Sequence, residues 1–80
     1  MDPKDVISEI LETSFKLSKE EERIIEIFKN SGVKIDDGVV TGVDGEAKIV
    51  LRSLMDNLSA MAVIKISAKQ IIRKSGISLH

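Results

Sequence analysis

Three basic residues, Lys65, Lys69 and Arg73, recur at intervals of four near the carboxyl end of this 80-residue chain. Residues four apart share one face of an α-helix, so these side chains form a row if the segment is helical. A row of cations on one helix face suits contacts with phosphates. We therefore treat the three residues as possible anion contacts, with nucleic acid as one candidate partner.

Four acidic residues, Asp36, Asp37, Asp44 and Glu46, lie in a glycine-rich stretch in the middle of the chain. Calcium and magnesium ions prefer oxygen ligands of this kind. The spacing, however, lacks both the alternating ligands and the closing glutamate of a calcium loop, and Asp before Gly is typical of a turn. We therefore interpret these acids as solvated turn residues and predict no metal site.

Residues suited to catalysis are scarce. The chain has no Cys and no Tyr, and its single histidine is His80. The absence of cysteine excludes disulfides, thiolate metal sites and cysteine nucleophiles. The glycines of the middle stretch match neither the phosphate-binding loop nor the dinucleotide-binding spacing. We predict no catalytic residues, no cofactor and no enzymatic activity.

The two halves of the chain differ in charge. Residues 1–46 contain twelve acidic and six basic residues, whereas residues 47–80 contain six basic residues and one acidic residue, Asp56. The first half therefore carries a net charge of −6 and the second half +5. The simplest interpretation is that the halves attract each other, within one chain or between subunits. The alternative is a basic face for an acidic partner.

The first 31 residues have the pattern of a helical hairpin. Asp2 and Pro3 are a typical N-cap and first helical residue, and apolar residues follow at helical spacing. Ser18 and Glu21 have the spacing of a capping box, which predicts the start of a second helix. Gly32 is suited to the left-handed conformation that ends a helix. We predict helices over residues 3–16 and 19–31.

Residues 33–46 are rich in Val and Gly. Two Asp-Gly pairs, at 37–38 and 44–45, flank a stretch containing Val39, Val40 and Val43. Asp-Gly pairs beside β-branched residues favour tight turns between short strands. We predict a compact loop with a possible short β-hairpin.

Residues 46–74 show a seven-residue repeat of mainly apolar positions. The repeat predicts one long C-terminal helix of about 43 Å, longer than a compact domain of this size is wide. We therefore expect a second chain to cover part of its apolar face, in a homodimer. The predicted interface is a seam of seven residues, namely Leu51, Leu54, Leu58, Met61, Lys65, Ala68 and Ile72. The alternative is an α+β arrangement with a break near residues 56–59 and a strand near residues 61–67.

Length and composition favour a single small domain. The chain is 42% hydrophobic and 31% charged, as in soluble globular proteins, and its longest apolar run is too short to span a bilayer. We expect a cytoplasmic protein, and the low content of Gln and Asn resembles that of heat-adapted proteins.

The predicted function is that of a self-associating protein–protein interaction domain. The alternative is a nucleic-acid-associated or transcription-related protein that uses the basic C-terminal half.

Overall fold

The computed structural model describes residues 2–79, and this part of the chain forms four α-helices and one two-stranded antiparallel sheet. In chain order the elements are α1 (Pro3–Leu17), α2 (Glu21–Asn30), β1 (Val33–Asp36), β2 (Val39–Val43), α3 (Ala47–Asn57), a 3₁₀ turn (Leu58–Ala60) and α4 (Ala62–Ser75). The predicted fold class, mostly helical with a short β-hairpin, is confirmed.

The two N-terminal helices begin differently. The Asp2 side chain accepts a hydrogen bond from the Lys4 amide at 3.1 Å, as its N-cap role predicts. The predicted capping box at Ser18 is wrong, because α2 begins two residues later than expected. The Ser18 hydroxyl instead accepts from the Glu20 amide at 3.2 Å, a local turn that competes with helix formation. The Glu20 carboxylate pairs with Arg23 at 3.8 Å.

Helix α2 ends where the sequence predicts. Gly32 adopts φ +99°, and its carbonyl accepts a hydrogen bond from the Asp44 amide at 2.8 Å. This bond fastens the end of α2 to the residue that follows β2. The Asn57 side chain adds a second link, since its amide donates to the Ser31 hydroxyl at 2.8 Å. The end of α2 is therefore tied both to the loop before α3 and to the last residue of α3.

The β-hairpin turns at Asp37 and Gly38, which have φ values of +54° and +74°. Positive φ at both central residues is the geometry of the two-residue turn that matches strand twist, which explains why the chain needs Asp-Gly here. Beyond the turn Ile35 pairs with Val40, and the register then shifts before Lys34 pairs with Gly42. The extra residue of this bulge, Thr41, bends β2.

The predicted single helix over residues 46–74 is wrong, because the chain breaks at the 3₁₀ turn. Met61, at φ −127° and ψ 79°, is not helical, and its amide bonds to the Leu58 carbonyl at 2.8 Å. The alternative prediction placed the break correctly, but its strand near residues 61–67 is wrong, since α4 occupies that segment. A single helix of about 43 Å would exceed the longest dimension of the molecule, 30 Å. The break allows the apolar faces of α3 and α4 to pack into one core.

One continuous core lies between the helices and the hairpin. Helix α1 is at its centre and packs against α2, α3, α4 and β2. The buried apolar residues are Val6, Ile7, Ile10, Leu11, Ile24, Phe28, Val33, Val40, Val50, Leu51, Leu54, Met55, Leu58, Ile64, Ala68 and Ile72. Buried Ser14 satisfies its hydroxyl by donating to the Ile10 carbonyl at 2.6 Å. Within residues 2–79, none of the helices is long and apolar enough to cross a membrane.

The core accounts for most of the seam that we predicted as a subunit interface. Five of its seven residues are buried within the single chain, namely Leu51, Leu54, Leu58, Ala68 and Ile72. Met61 and Lys65 are half-buried. The prediction assumed one straight helix whose apolar face no other part of the chain covers. In the structure the chain turns at the 3₁₀ turn, and the core of the same chain buries most of the seam. These five residues therefore need no second chain to cover them.

Candidate binding groove

An open groove of about 690 Å³ runs between α3, α4 and the C-terminal segment, residues 76–79. The exposed lining residues are polar or charged, and the buried and half-buried apolar lining residues, Met55, Ile72, Ile77 and Leu79, are called the floor of the groove here. The lining residues are Met55, Asp56, Lys65, Lys69, Ile72, Arg73, Ile77, Ser78 and Leu79. All three predicted anion contacts thus line the same groove, together with a single carboxylate.

We refer to Lys65, Lys69 and Arg73 as the basic row. Lys65 is half-buried, and its ammonium donates a hydrogen bond to the Ser59 hydroxyl at 2.6 Å. Lys69 and Arg73 are exposed, and neither forms an ion pair or side-chain hydrogen bond with any residue from 2 to 79. Two of the three cations are therefore available to an external anion, while Lys65 is positioned by Ser59.

The far wall of the groove depends on Arg52. Its guanidinium, on α3, donates a hydrogen bond to the backbone carbonyl of Leu79. Gly76 ends α4 with φ +77°, which turns the chain back, and Ile77 and Leu79 then pack against the core. The helical spacing of the apolar residues around Arg52 predicts that it lies on the polar face of the helix. No local pattern in the sequence links Arg52 to a residue 27 positions away.

We expect Arg52→Ala to loosen the C-terminal segment while leaving the core intact. The lost hydrogen bond lies at the surface, so the free energy of unfolding should fall by less than about 1 kcal/mol. Amide hydrogen exchange at Ile77 and Leu79 should nevertheless become faster than in the wild type. Lys48→Ala, also on the exposed face of α3, is the control and should leave this exchange unchanged. Unaltered exchange in Arg52→Ala would show that apolar packing alone holds the segment.

The acidic residues of the middle stretch do not converge. Asp44 pairs with Lys34 across the hairpin, 3.4 Å from its ammonium, and Asp36, Asp37 and Glu46 are exposed. In the part of the chain that the structure describes, no three His, Cys, Asp or Glu side chains form a group that could hold a metal ion. Asp37 takes the turn position that the sequence predicts. The only histidine, His80, lies outside the described residues.

The opposite charges of the two halves do not meet in direct contacts. The ion pairs of residues 2–79 are Glu20 with Arg23 and Lys34 with Asp44, and both lie inside the acidic half. Among residues 2–79, the cations of the second half accordingly form no ion pair with a carboxylate. Attraction between the halves within one chain, which we expected, is thus not carried by ion pairs.

Comparisons with family models, with curated proteins and with solved structures found no match to this chain. The geometry and charge of the groove are therefore the basis for a proposed function. Three properties matter most. The groove is open, its floor is apolar, and the Lys69 and Arg73 side chains on its rim have no acidic partner within the described chain.

Proposed function

We propose that this chain is a small, non-enzymatic protein–protein interaction domain whose groove binds an acidic protein surface. The observation that carries the proposal is that the basic row lines an open groove while Lys69 and Arg73 have no carboxylate partner among residues 2–79. Unpaired cations beside an apolar floor favour a ligand with carboxylates next to apolar side chains. An acidic amphipathic helix has this composition.

The floor of the groove favours a protein over nucleic acid. Ile77 and Leu79 are half-buried in the lining and offer apolar contact, which a phosphate backbone does not use. The chain has no Trp or Tyr on which a base could stack. Nucleic acid binding through the basic row, the alternative function predicted from the sequence, is therefore the less favoured proposal.

The test is a titration of the isotope-labelled chain followed by nuclear magnetic resonance. The two probes are a short poly-glutamate peptide and a DNA duplex of equal total charge. We expect the peptide to shift amide signals of α4 and residues 76–79, and we expect the duplex to bind more weakly. The double variant Lys69→Ala with Arg73→Ala should lose the peptide-induced shifts.

A matched control removes the same charge from the same half of the chain. Lys48→Ala combined with Lys74→Ala changes two exposed lysines outside the groove and should leave the peptide-induced shifts in place. Tighter binding of the duplex, with a steep dependence on salt, would instead support the nucleic-acid alternative. No shift with either probe would contradict both proposals.

A further inference from the structure

We infer that the partner of the groove is a second copy of this chain, which presents helix α2. Two exposed glutamates, Glu22 and Glu26, lie four residues apart on α2 and are named here the acidic row. The buried face of α2 is formed by Ile24 and Phe28. Ile24 is two positions from each glutamate, a rotation of about 160° around the helix, so the acidic row points away from the buried face. This inference rests on the proposed function, since it names the occupant of the same groove.

The acidic row has no cation to neutralise it within the described chain. Arg23 forms its ion pair with Glu20. Neither Glu22 nor Glu26 forms an ion pair with a residue from 2 to 79. The next charged residue on α2, about one turn beyond Glu26, is the cation Lys29, so the row contains only these two carboxylates. The acidic half of the chain therefore exposes an unpaired row, as the basic half does.

The two rows match in spacing. Four residues of an α-helix advance by about 6 Å, so the two carboxylates are separated along the axis by the same distance as each pair of neighbours in the basic row. When α2 of one copy lies along α4 of another, each carboxylate can sit between two of the three cations. Ile25, half-buried beside the acidic row, is then near the apolar floor of the groove.

The contact has to be formed between copies and to use two different surfaces. α2 and α4 belong to one rigid fold and form no ion pair with each other in residues 2–79, so one chain cannot join its own rows. Each copy then offers one groove and one acidic row. Such a contact closes into a two-fold dimer where α2 of each copy can fill the groove of the other at the same time, and otherwise it leads to a larger ring or to an extending chain.

The test is sedimentation velocity over a range of protein and salt concentrations. Exposed ion pairs are weak singly and are screened by salt, so we expect the mean mass to rise with protein concentration at low salt and to return to that of the monomer at high salt. The variant Glu22→Lys with Glu26→Lys has two basic surfaces, and the variant Lys69→Glu with Arg73→Glu has two acidic ones. Each variant alone should remain monomeric.

An equal mixture of these two variants should associate again, because each then supplies the charge that the other lacks. The matched controls are Glu9→Lys with Glu12→Lys on α1 and Lys48→Glu with Lys74→Glu, all at exposed positions. These controls should associate as the wild type does. Circular dichroism should give the same helix content for every variant, since all the changes are at the surface.

Two results would overturn the inference. One is a wild-type chain that stays monomeric at every concentration at low salt, and the other is a mixture of variants that fails to associate. The poly-glutamate titration separates this failure from that of the proposed function. If the peptide still shifts the groove signals, the groove binds acidic proteins other than this chain, and if it does not, both proposals fail.

Discussion

Leu58→Ala is expected to lower the free energy of unfolding by about 2–5 kcal/mol, the range for a leucine removed from a closed core. Leu58 begins the 3₁₀ turn and is fully buried, at 0% exposure. Its side chain belongs to the core cluster at the point where the chain turns from α3 into α4. The hydrogen bond between Asn57 and Ser31 holds the residue before this turn in place, so the turn has little freedom to close the cavity that alanine leaves. The loss of stability should therefore be in the upper part of this range. Urea denaturation measures it.

Val63→Ala is the control, because Val63 lies five residues beyond Leu58, near the start of α4, but is 66% exposed. Its free energy of unfolding should change by less than about 0.5 kcal/mol, the range for surface substitutions. If the two variants lost equal stability, Leu58 would not be part of the core. A change in the slope of the denaturation curve would point to a less compact native state instead.

Gly32→Ala is expected to have the second-largest effect, a loss of about 2–3 kcal/mol. An alanine would have to adopt φ +99°, which L-residues with a side chain rarely do. Its Cβ would in addition meet Cγ2 of the Val50 side chain at 3.3 Å. Because the Gly32 carbonyl accepts the Asp44 amide, the backbone cannot rotate away without breaking a hydrogen bond. Thermal unfolding should give a lower Tm.

Gly45→Ala separates the two causes of this loss. Gly45 also has a positive φ, +85°, but a Cβ there would meet no heavy atom within 4 Å. Its replacement should cost only the conformational penalty, about 1–2 kcal/mol. An equal loss at both glycines would contradict the role of Val50 and leave backbone strain as the sole cause.

Local chemistry made part of this fold predictable. Asp2 and Pro3 start α1, Gly32 ends α2, and Asp37 with Gly38 turns the hairpin, each through a backbone conformation that few other residues provide. The break between α3 and α4 has no such signal. Residues 56–61 contain neither Gly nor Pro, and their side chains fit a helix as well as a turn. The conformation of these residues is decided by the burial of the apolar faces of α3 and α4 in one core. That burial depends on the whole chain.

The groove was predictable on one side only. The four-residue spacing placed Lys65, Lys69 and Arg73 on one face of a helix, and in the structure all three line one groove. The opposite wall requires the contact between Arg52 and Leu79, which are 27 residues apart. Hydrophobic periodicity describes neighbours on one element and contains no information on such a pair. The dimer seam was misplaced for the same reason. Periodicity predicts that a helix face is buried, but it does not show whether the same chain or a second chain covers that face.

The packing of α1 against α4 has a consequence for how the chain is made. These are the first and last helices of the described chain, so a nascent polypeptide cannot close its core until α4 has left the ribosome. Before that point α2 and the hairpin can form from neighbouring residues alone, while the part of α1 that packs against α4 stays exposed. Contacts between distant segments form late and leave such intermediates open to aggregation. Polypeptides that end before residue 62 should therefore be targets for chaperones or proteases.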